Sequence, residues 1–217
     1  MVADSESTGR GEDPEERRFD YSRTVAVSDG VFAIALTLLV LNIGAPVLTP
    51  GHQGVLGQRL LDRGDEYFSY AVGFSVIAFL WVRHHRFYRG IDHIDTALTV
   101  LNLAYLGLVA FLPYPTRILG LYADQPASVI MYAVVVSALA IIAGAMRVHA
   151  VRAGLLSEAG RRAIGRREHW ALVPAVFILS IPIAFASPRI AVLCWLLAPL
   201  LARVGRQISR GKPLGAG

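Results

Sequence analysis

This chain of 217 residues has few cysteines and few charges. Its one cysteine, Cys194, cannot form a disulfide within the chain. Charged residues make up 17% of the sequence, whereas soluble domains carry roughly a quarter. Residues 1–20 are acidic and polar and lack the basic start of a signal peptide. We therefore expect no cleaved leader, and we expect the first apolar segment itself to direct membrane insertion.

Apolar residues are plentiful: 54% of the sequence is hydrophobic, and its mean hydropathy is +0.50. This composition is typical of an integral membrane protein. The net charge of +5 comes from basic residues that concentrate at the ends of apolar segments and in the loops between them. We therefore expect membrane lipids, and no nucleic acid, as partners.

Long apolar windows predict an all-α membrane domain with six transmembrane helices. The predicted spans are 22–43, 66–84, 96–114, 127–148, 168–187 and 189–204. The fifth contains Pro174 and Pro182, which packed membrane helices tolerate. The sixth is short and contains Pro199, and the third is expected to end at Pro113-Tyr114-Pro115.

The distribution of lysine and arginine predicts the orientation. With these spans, 17 of the 21 basic residues fall on the side that carries both termini. The other side has only Arg59, Arg63, Arg117 and Arg189. The positive-inside rule therefore places both termini in the cytoplasm of a multi-pass protein.

The chain divides into three predicted parts. Residues 1–19 are rich in acidic residues, serine and glycine and are expected to form a disordered cytoplasmic tail. Residues 20–205 form the six-helix transmembrane domain, and residues 206–217 form a basic cytoplasmic tail.

Seven side chains of the first three spans fall at one level of the membrane, near its cytoplasmic side. They are Arg23, Ser28 and Asp29 of span one, Trp81, His84 and His85 of span two, and Asn102 of span three. Antiparallel neighbouring helices would bring them within reach of one another. Polar groups in this setting usually form a packing network or mark an ion pathway.

The histidines leave other interpretations open. They could sense pH or bind a metal ion. The segment around them also offers Asp92, His93 and Asp95, but the spacing matches no defensible zinc pattern. We therefore predict no metal, no cofactor, no catalytic residue and no enzymatic activity.

The far half of span one carries an aliphatic stripe. At about 100° per residue, Ile34, Leu38 and Leu41 fall along one line, and Asp29 lies about 140° away from Ile34. Such a stripe is most often explained by lipid contact or core packing.

Three motifs together resemble the transmembrane protein 175 family. The first, Arg23-x-x-x-Val27-Ser28-Asp29, is similar to the Arg-x-x-x-Phe-Ser-Asp pattern that opens that family's first helix, with valine in place of phenylalanine. The other two follow in the family's order and are Trp81-Val82-Arg83-His84-His85-Arg86-Phe87 in span two and Asn102 with Leu112-Pro113-Tyr114 in span three.

This resemblance implies a potassium-permeable channel of the cell membrane, with K+ as the permeant ion and a bacterial source. Prokaryotic members of the family have six helices per subunit, form homotetramers and line the pore with the first helix. By position, the constriction falls on Ile34, Leu38 and Leu41, and Thr37 adds a hydroxyl near the pathway. The family's network residues correspond to Arg23, Ser28, Asp29, His84 and Asn102.

An aliphatic ring gates by excluding water when narrow and filling when wider. The chain has no Thr-Val-Gly-Tyr-Gly filter sequence, so we expect only a modest preference for potassium over sodium. Three alternatives stay open: a proton-coupled secondary transporter, a membrane metalloenzyme built on His84, His85, Asp92 and His93, and an assembly protein without transport.

Overall fold

The computed structural model describes residues 14–47, 55–164, 172–188 and 190–195. These residues are helical apart from short connections and one backbone bridge between Ile91 and Leu156. The helices are α1 (Pro14–Leu38), α2 (Leu56–Leu61), α3 (Gly64–Tyr88), α4 (Thr96–Phe111), α5 (Pro113–Leu121), α6 (Pro126–Arg152), α7 (Glu158–Ile164) and α8 (Leu172–Ala186).

The first helix begins earlier than predicted. It starts at Pro14, so the segment 14–19 belongs to α1 and not to a disordered tail. Proline is favoured in the first turn of a helix, and the acidic residue Glu15 that follows it suits the helix N-terminus. At its other end α1 tightens into a 3₁₀ turn, Leu39–Asn42.

Three of the described helical stretches are long and apolar enough to cross a membrane: Phe19–Asn42, Thr96–Leu121 and Pro126–Arg152. They overlap the first, third and fourth predicted spans. α3 covers the second predicted span and has 25 residues, but it is more polar and is not among these three. α8 covers much of the fifth, and of the sixth predicted span only residues 190–195, which are helical, lie within the described residues.

The break predicted for the third helix at Pro113-Tyr114-Pro115 is present, since α4 ends at Phe111 and α5 begins at Pro113, but the span does not end there. Leu112 keeps helical dihedral angles, and α5 continues directly from α4. Pro113 and Pro115 lie in the first turn of α5, where a backbone N–H is not needed for the helical ladder. The result is a single span of 26 residues from Thr96 to Leu121.

The helices pack in two connected groups. α1 contacts α3, α4 and α5, while α6 contacts α4, α5 and α8. Beyond α8 the chain reverses direction, which brings Trp195 back to α8. There its Nε1 donates a hydrogen bond of 2.8 Å to Ser180 Oγ. The Trp195 ring also stacks on Tyr132 and Phe177, with centroids 4.9 Å and 5.0 Å away.

Gly73 lets α3 approach the end of α1 and the start of α5 closely. A Cβ atom at this position would lie 2.7 Å from Thr116 Cγ2, 2.9 Å from Thr116 Oγ1 and 3.3 Å from Leu39 Cδ2. Thr116 and Leu39 are both fully buried. The glycine is therefore required by the space between three elements.

We predict that Gly73→Ala destabilises the protein by about 1–3 kcal/mol, since an added methyl group must push apart a packed core. Thermal unfolding in detergent measures the effect. Gly107→Ala is the matched control, because Gly107 is also helical but has no atom near its missing Cβ. Equal melting temperatures for the two variants would contradict the close packing at Gly73.

Asp95 joins α4 to α6 at the end of the bundle where α3 and α6 finish. Its Oδ1 accepts a hydrogen bond of 2.7 Å from the Leu98 N–H and thereby caps α4. Its Oδ2 lies 2.7 Å from Nε2 of His149. Desolvation acts to raise the pKa of Asp95, but the Leu98 and His149 hydrogen bonds outweigh it and hold this pKa below its ordinary value.

A lowered pKa in the folded state means that ionised Asp95 stabilises the fold above its unfolded pKa of about 4, and that this contribution is lost as the pH falls through the folded value. We predict that Asp95→Asn lowers the melting temperature at neutral pH and that the difference from wild type disappears once the pH falls below the lowered folded-state pKa of Asp95. Asp92→Asn is the control, because it removes the same charge from a nearby carboxylate that is largely exposed and whose contact with His93, at 3.6 Å, is longer. A difference that persists unchanged in acid would contradict the role of the charge.

Candidate functional site

The face of α1 that the described chain leaves uncovered is a stripe of aliphatic side chains. Ile34, Leu38 and Leu41 are 59%, 42% and 69% exposed. Their spacing of i, i+4 and i+7 keeps them on one side of the helix. These three residues, which we call the aliphatic stripe, are the ones that the family resemblance assigns to a constriction.

The opposite face of α1 is buried. Ser28, Phe32, Ala35 and Leu39 are each at most 1% exposed. At 100° per residue they lie within about 60° of one another, and the aliphatic stripe lies about 80–140° from Ser28. Whatever holds the buried face therefore determines which way the stripe points.

A chain of side-chain hydrogen bonds holds that face. Ser28 Oγ donates to the carbonyl oxygen of Thr24 over 2.7 Å and accepts from Asn102 Nδ2 over 3.1 Å. Asn102 Oδ1 lies 2.9 Å from Nε2 of His84. Because an amide oxygen can only accept, His84 donates through Nε2. Ser28, His84 and Asn102, all buried, thus link α1, α3 and α4.

Aromatic rings surround the imidazole of His84. Tyr88, Phe32 and Tyr105 have ring centroids 4.7 Å, 5.4 Å and 5.5 Å from it. The Tyr105 ring lies nearly parallel to the imidazole, at 18°. The packing fixes the direction of the ring, so that Nε2 stays aimed at Asn102.

A second polar contact lies closer to solvent. Trp81 Nε1 donates to Asp29 Oδ1 over 2.9 Å, and the Trp81 indole stacks on His85 with centroids 5.5 Å apart. Asp29 is half-buried, whereas Trp81 is 37% exposed. The hydrogen bond between Trp81 and Asp29, the residue after Ser28, thus joins α3 to α1.

Arg23 belongs to neither set of polar contacts among the described residues. It is exposed, and its guanidinium lies 5.5 Å from the ring centroid of Phe19, on the same helix. The structure therefore brings together Ser28, His84 and Asn102, separately joins Asp29, Trp81 and His85, and places Arg23 outside both groups.

Thr37 lies on the uncovered side of α1 beside the stripe. Its hydroxyl donates to the carbonyl oxygen of Ile34 over 2.9 Å. The hydrogen is thus directed at the backbone, and the side-chain oxygen remains available as an acceptor.

No group of three or more histidine, cysteine, aspartate or glutamate side chains could hold a metal ion in the part of the chain that the structure describes. The residues considered for a metalloenzyme point to different neighbours. His84 bonds to Asn102, His85 stacks on Trp81, and His93 lies beside Asp92.

Several residues of this region were missed by sequence reasoning. Phe32 and Tyr105 stand one helical turn after Ser28 and Asn102, so helical spacing could have pointed to them. Asn42, whose amide bonds to the carbonyl oxygen of Pro113, had no such signal because the two residues are 71 positions apart.

The chain is similar to several known ion channels. A family model described as "Endosomal/lysosomal potassium channel TMEM175" matches residues 23–113. A potassium channel of Streptomyces collinus is 35% identical over 172 residues, which cover 76% of this chain and 82% of that protein. A potassium channel of Chamaesiphon minutus is 32% identical over 183 residues, covering 81% and 90%. Human TMEM175, named an endosomal/lysosomal proton channel, is 27% identical over 134 residues, only 26% of its length.

Solved structures show the same likeness. The crystal structure of a lysosomal potassium-selective channel TMEM175 homolog from Chamaesiphon minutus has a TM-score of 0.71 at 30% identity, covering 84% of this chain and 96% of that one. A variant of the potassium channel MtTMEM175 has a TM-score of 0.59 at 19% identity and covers 88% and 94%. The second likeness concerns the fold alone.

We predict that Asn102→Leu, which keeps the volume but removes both hydrogen bonds, destabilises the protein by about 1–3 kcal/mol, because the buried His84 Nε2 then lacks its acceptor and Ser28 loses the donor from α4. Thermal unfolding in detergent measures it. The control is Ser75→Ala, because Ser75 is exposed and its side chain bonds to the carbonyl oxygen of Ala71, one turn earlier on the same helix. If both variants melt at the same temperature, the buried hydrogen bonds among Ser28, Asn102 and His84 do not stabilise the packing of α1.

Proposed function

The chain belongs to the TMEM175 family of ion channels, and from that premise we propose that it is a potassium-permeable channel of the cell membrane whose pore is lined by α1. K+ is the permeant ion. The family consists of channels and not of enzymes, so the proposal includes no catalytic site and no cofactor.

The observation that carries the proposal is the uncovered aliphatic stripe on a helix whose other face is buried. Ile34, Leu38 and Leu41 stay 42–69% exposed within the described part of the chain, although α1 is packed on its other side against α3, α4 and α5. One such subunit cannot enclose a pore. A symmetric ring of copies can place the stripe around a central axis, and we propose a homotetramer.

In such a ring, Ile34, Leu38 and Leu41 form the constriction. A narrow aliphatic ring excludes water and ions, and a slightly wider ring fills and conducts. Selectivity then comes from the hydration shell that an ion must shed, which favours the more weakly hydrated potassium only modestly over sodium. The Thr37 oxygen supplies an acceptor beside the same pathway.

We further propose that the protein crosses the membrane six times with both termini in the cytoplasm. The sequence supports this proposal: if α1, α3, the α4–α5 span and α6 cross in alternating directions, the arginine-rich connections fall on one side, as the positive-inside rule requires of the cytoplasmic face. The Ser28–Asn102–His84 chain and the Asp29–Trp81–His85 contacts then lie near the inner mouth. Their role in this proposal is structural.

Proton permeation is a second candidate, because vertebrate relatives such as human TMEM175 are named proton channels. The chain covers only 26% of the human protein. A proton-coupled transporter is the corresponding alternative without a continuous pore. Liposomes loaded with a pH-sensitive dye report proton movement while a potassium gradient is applied. Coupled transport makes the potassium flux depend on a proton gradient, whereas flux through a potassium channel does not depend on one.

We predict that Ile34→Asn raises the potassium current through the reconstituted protein roughly tenfold and lowers its preference over sodium, because a polar ring holds water where an aliphatic ring excludes it. Planar-bilayer recording with potassium and sodium on opposite sides measures both quantities.

Ile141→Asn is the matched control for this experiment. Ile141 is 65% exposed on α6, so the change introduces the same amide on a helix outside the proposed pore. We expect its current per channel to equal that of wild type. An unchanged current and selectivity in Ile34→Asn would contradict a constriction at this position.

A further inference from the structure

The outer end of α1 is tied to α5 by a single side chain. Asn42 closes the 3₁₀ turn Leu39–Asn42, and its Nδ2 donates a hydrogen bond of 2.8 Å to the carbonyl oxygen of Pro113. Asn42 is half-buried. Pro113 is the first residue of α5, so the bond connects the 3₁₀ turn at the end of α1 to the junction of α4 and α5.

A second tie holds the residues that follow this turn. Glu66 Oε2 accepts from the Gly44 N–H over 2.8 Å. Arg63 pairs with Glu66 through Nη1, at 2.8 Å and 3.0 Å from its two oxygens, and Arg63 Nη2 donates to the carbonyl oxygen of Ala45 over 3.4 Å. Side chains at the start of α3 therefore bind the backbone of residues 44–45, which follow the 3₁₀ turn.

Helical geometry connects these ties to the aliphatic stripe. In an α-helix, residues i and i+3 point about 60° apart, whereas in a 3₁₀ helix they point the same way. The 3₁₀ turn therefore brings Leu41 into line with Leu38. It is closed by the Ile43 N–H bonding to the carbonyl oxygen of Val40 over 3.1 Å.

The buried side of the same turn leaves it little freedom to shift. Leu39 is fully buried and lies against Gly73, whose missing side chain makes room for it. The turn is thus held from inside the subunit by packing and at its end by Asn42 and Glu66. Leu41, between these supports, is 69% exposed.

We propose that Asn42 and the Arg63–Glu66 pair are positioning residues for ion selection: they hold the outer turn of α1 in 3₁₀ form, so that Leu41 completes the constriction with Leu38. This inference rests on the proposed channel function. In this proposal Asn42 does not line the pathway, because it acts by fixing the direction in which the Leu41 side chain points. Without the tie, the turn relaxes toward α-helical geometry. Leu41 then turns by about 60° relative to Leu38, which changes the shape of the constriction.

The test is bi-ionic recording from the full-length protein in planar bilayers. For Asn42→Leu, which removes the amide at similar volume, we expect the potassium-to-sodium permeability ratio to fall roughly twofold or more, the factor that corresponds to a weak hydrogen bond. Asn42→Gln keeps a donor that reaches the same carbonyl, and we expect it to recover most of the ratio.

Ser128→Ala is the matched control. Ser128 lies at the same end of the bundle and bonds to the carbonyl oxygens of Tyr122 and Gln125, so its loss also removes a tie, but one away from α1. We expect an unchanged permeability ratio. A purely structural role for Asn42 would reduce the number of active channels in Asn42→Leu without moving the ratio.

Glu66→Ala provides an independent arm, because it breaks the other tie and leaves Asn42 in place. A lowered ratio in either variant, with Ser128→Ala unchanged, supports the proposal. Wild-type ratios in every variant that conducts would overturn it while leaving the channel function intact. No potassium current in wild type would instead refute the channel function itself.

Discussion

The buried hydrogen bonds from Ser28 to Asn102 and from Asn102 to His84 constrain the rest of the structure, since they determine how α1 is rotated about its axis. Helix α1 is apolar on most sides, so hydrophobic burial alone does not select one face to turn inward. A buried polar group without a partner costs free energy, and in the observed rotation Ser28 Oγ accepts the hydrogen bond of the buried Asn102 Nδ2. The same rotation turns Ile34, Leu38 and Leu41 outward.

The two ends of α1 are held in different ways. Near the predicted cytoplasmic end, side chains of α3 and α4 contact Ser28 and Asp29. At the other end, Asn42 and the Arg63–Glu66 pair fix a short 3₁₀ turn. Between them the helix has one face packed inside the subunit and one uncovered. This arrangement suits a helix that must meet copies of itself around an axis.

The family, the helical class and the main spans could be predicted from the sequence, because apolar segments of about 20 residues have few structures other than a membrane helix. Helical periodicity also places Ile34, Leu38 and Leu41 on one side, as the structure has them. The start at Pro14 and the continuation through Pro113 were missed, since proline ends a helix at interior positions but begins one in the first turn. Contacts such as Asn42 with Pro113 depend on tertiary packing and leave no local pattern.

The central claim is that the copies of α1 in the assembled channel surround the ion pathway. The accessibility of introduced cysteines during conduction tests this claim most directly. On a Cys194→Ser background, Ile34→Cys and Leu38→Cys place a thiol on the stripe, and Ile141→Cys places one on exposed α6. Silver ions bind thiolates and travel through a cation pore. The account predicts rapid block of the potassium current for the two α1 variants and none for Ile141→Cys. Block at Ile141, with currents at Ile34 and Leu38 unaffected, would contradict it.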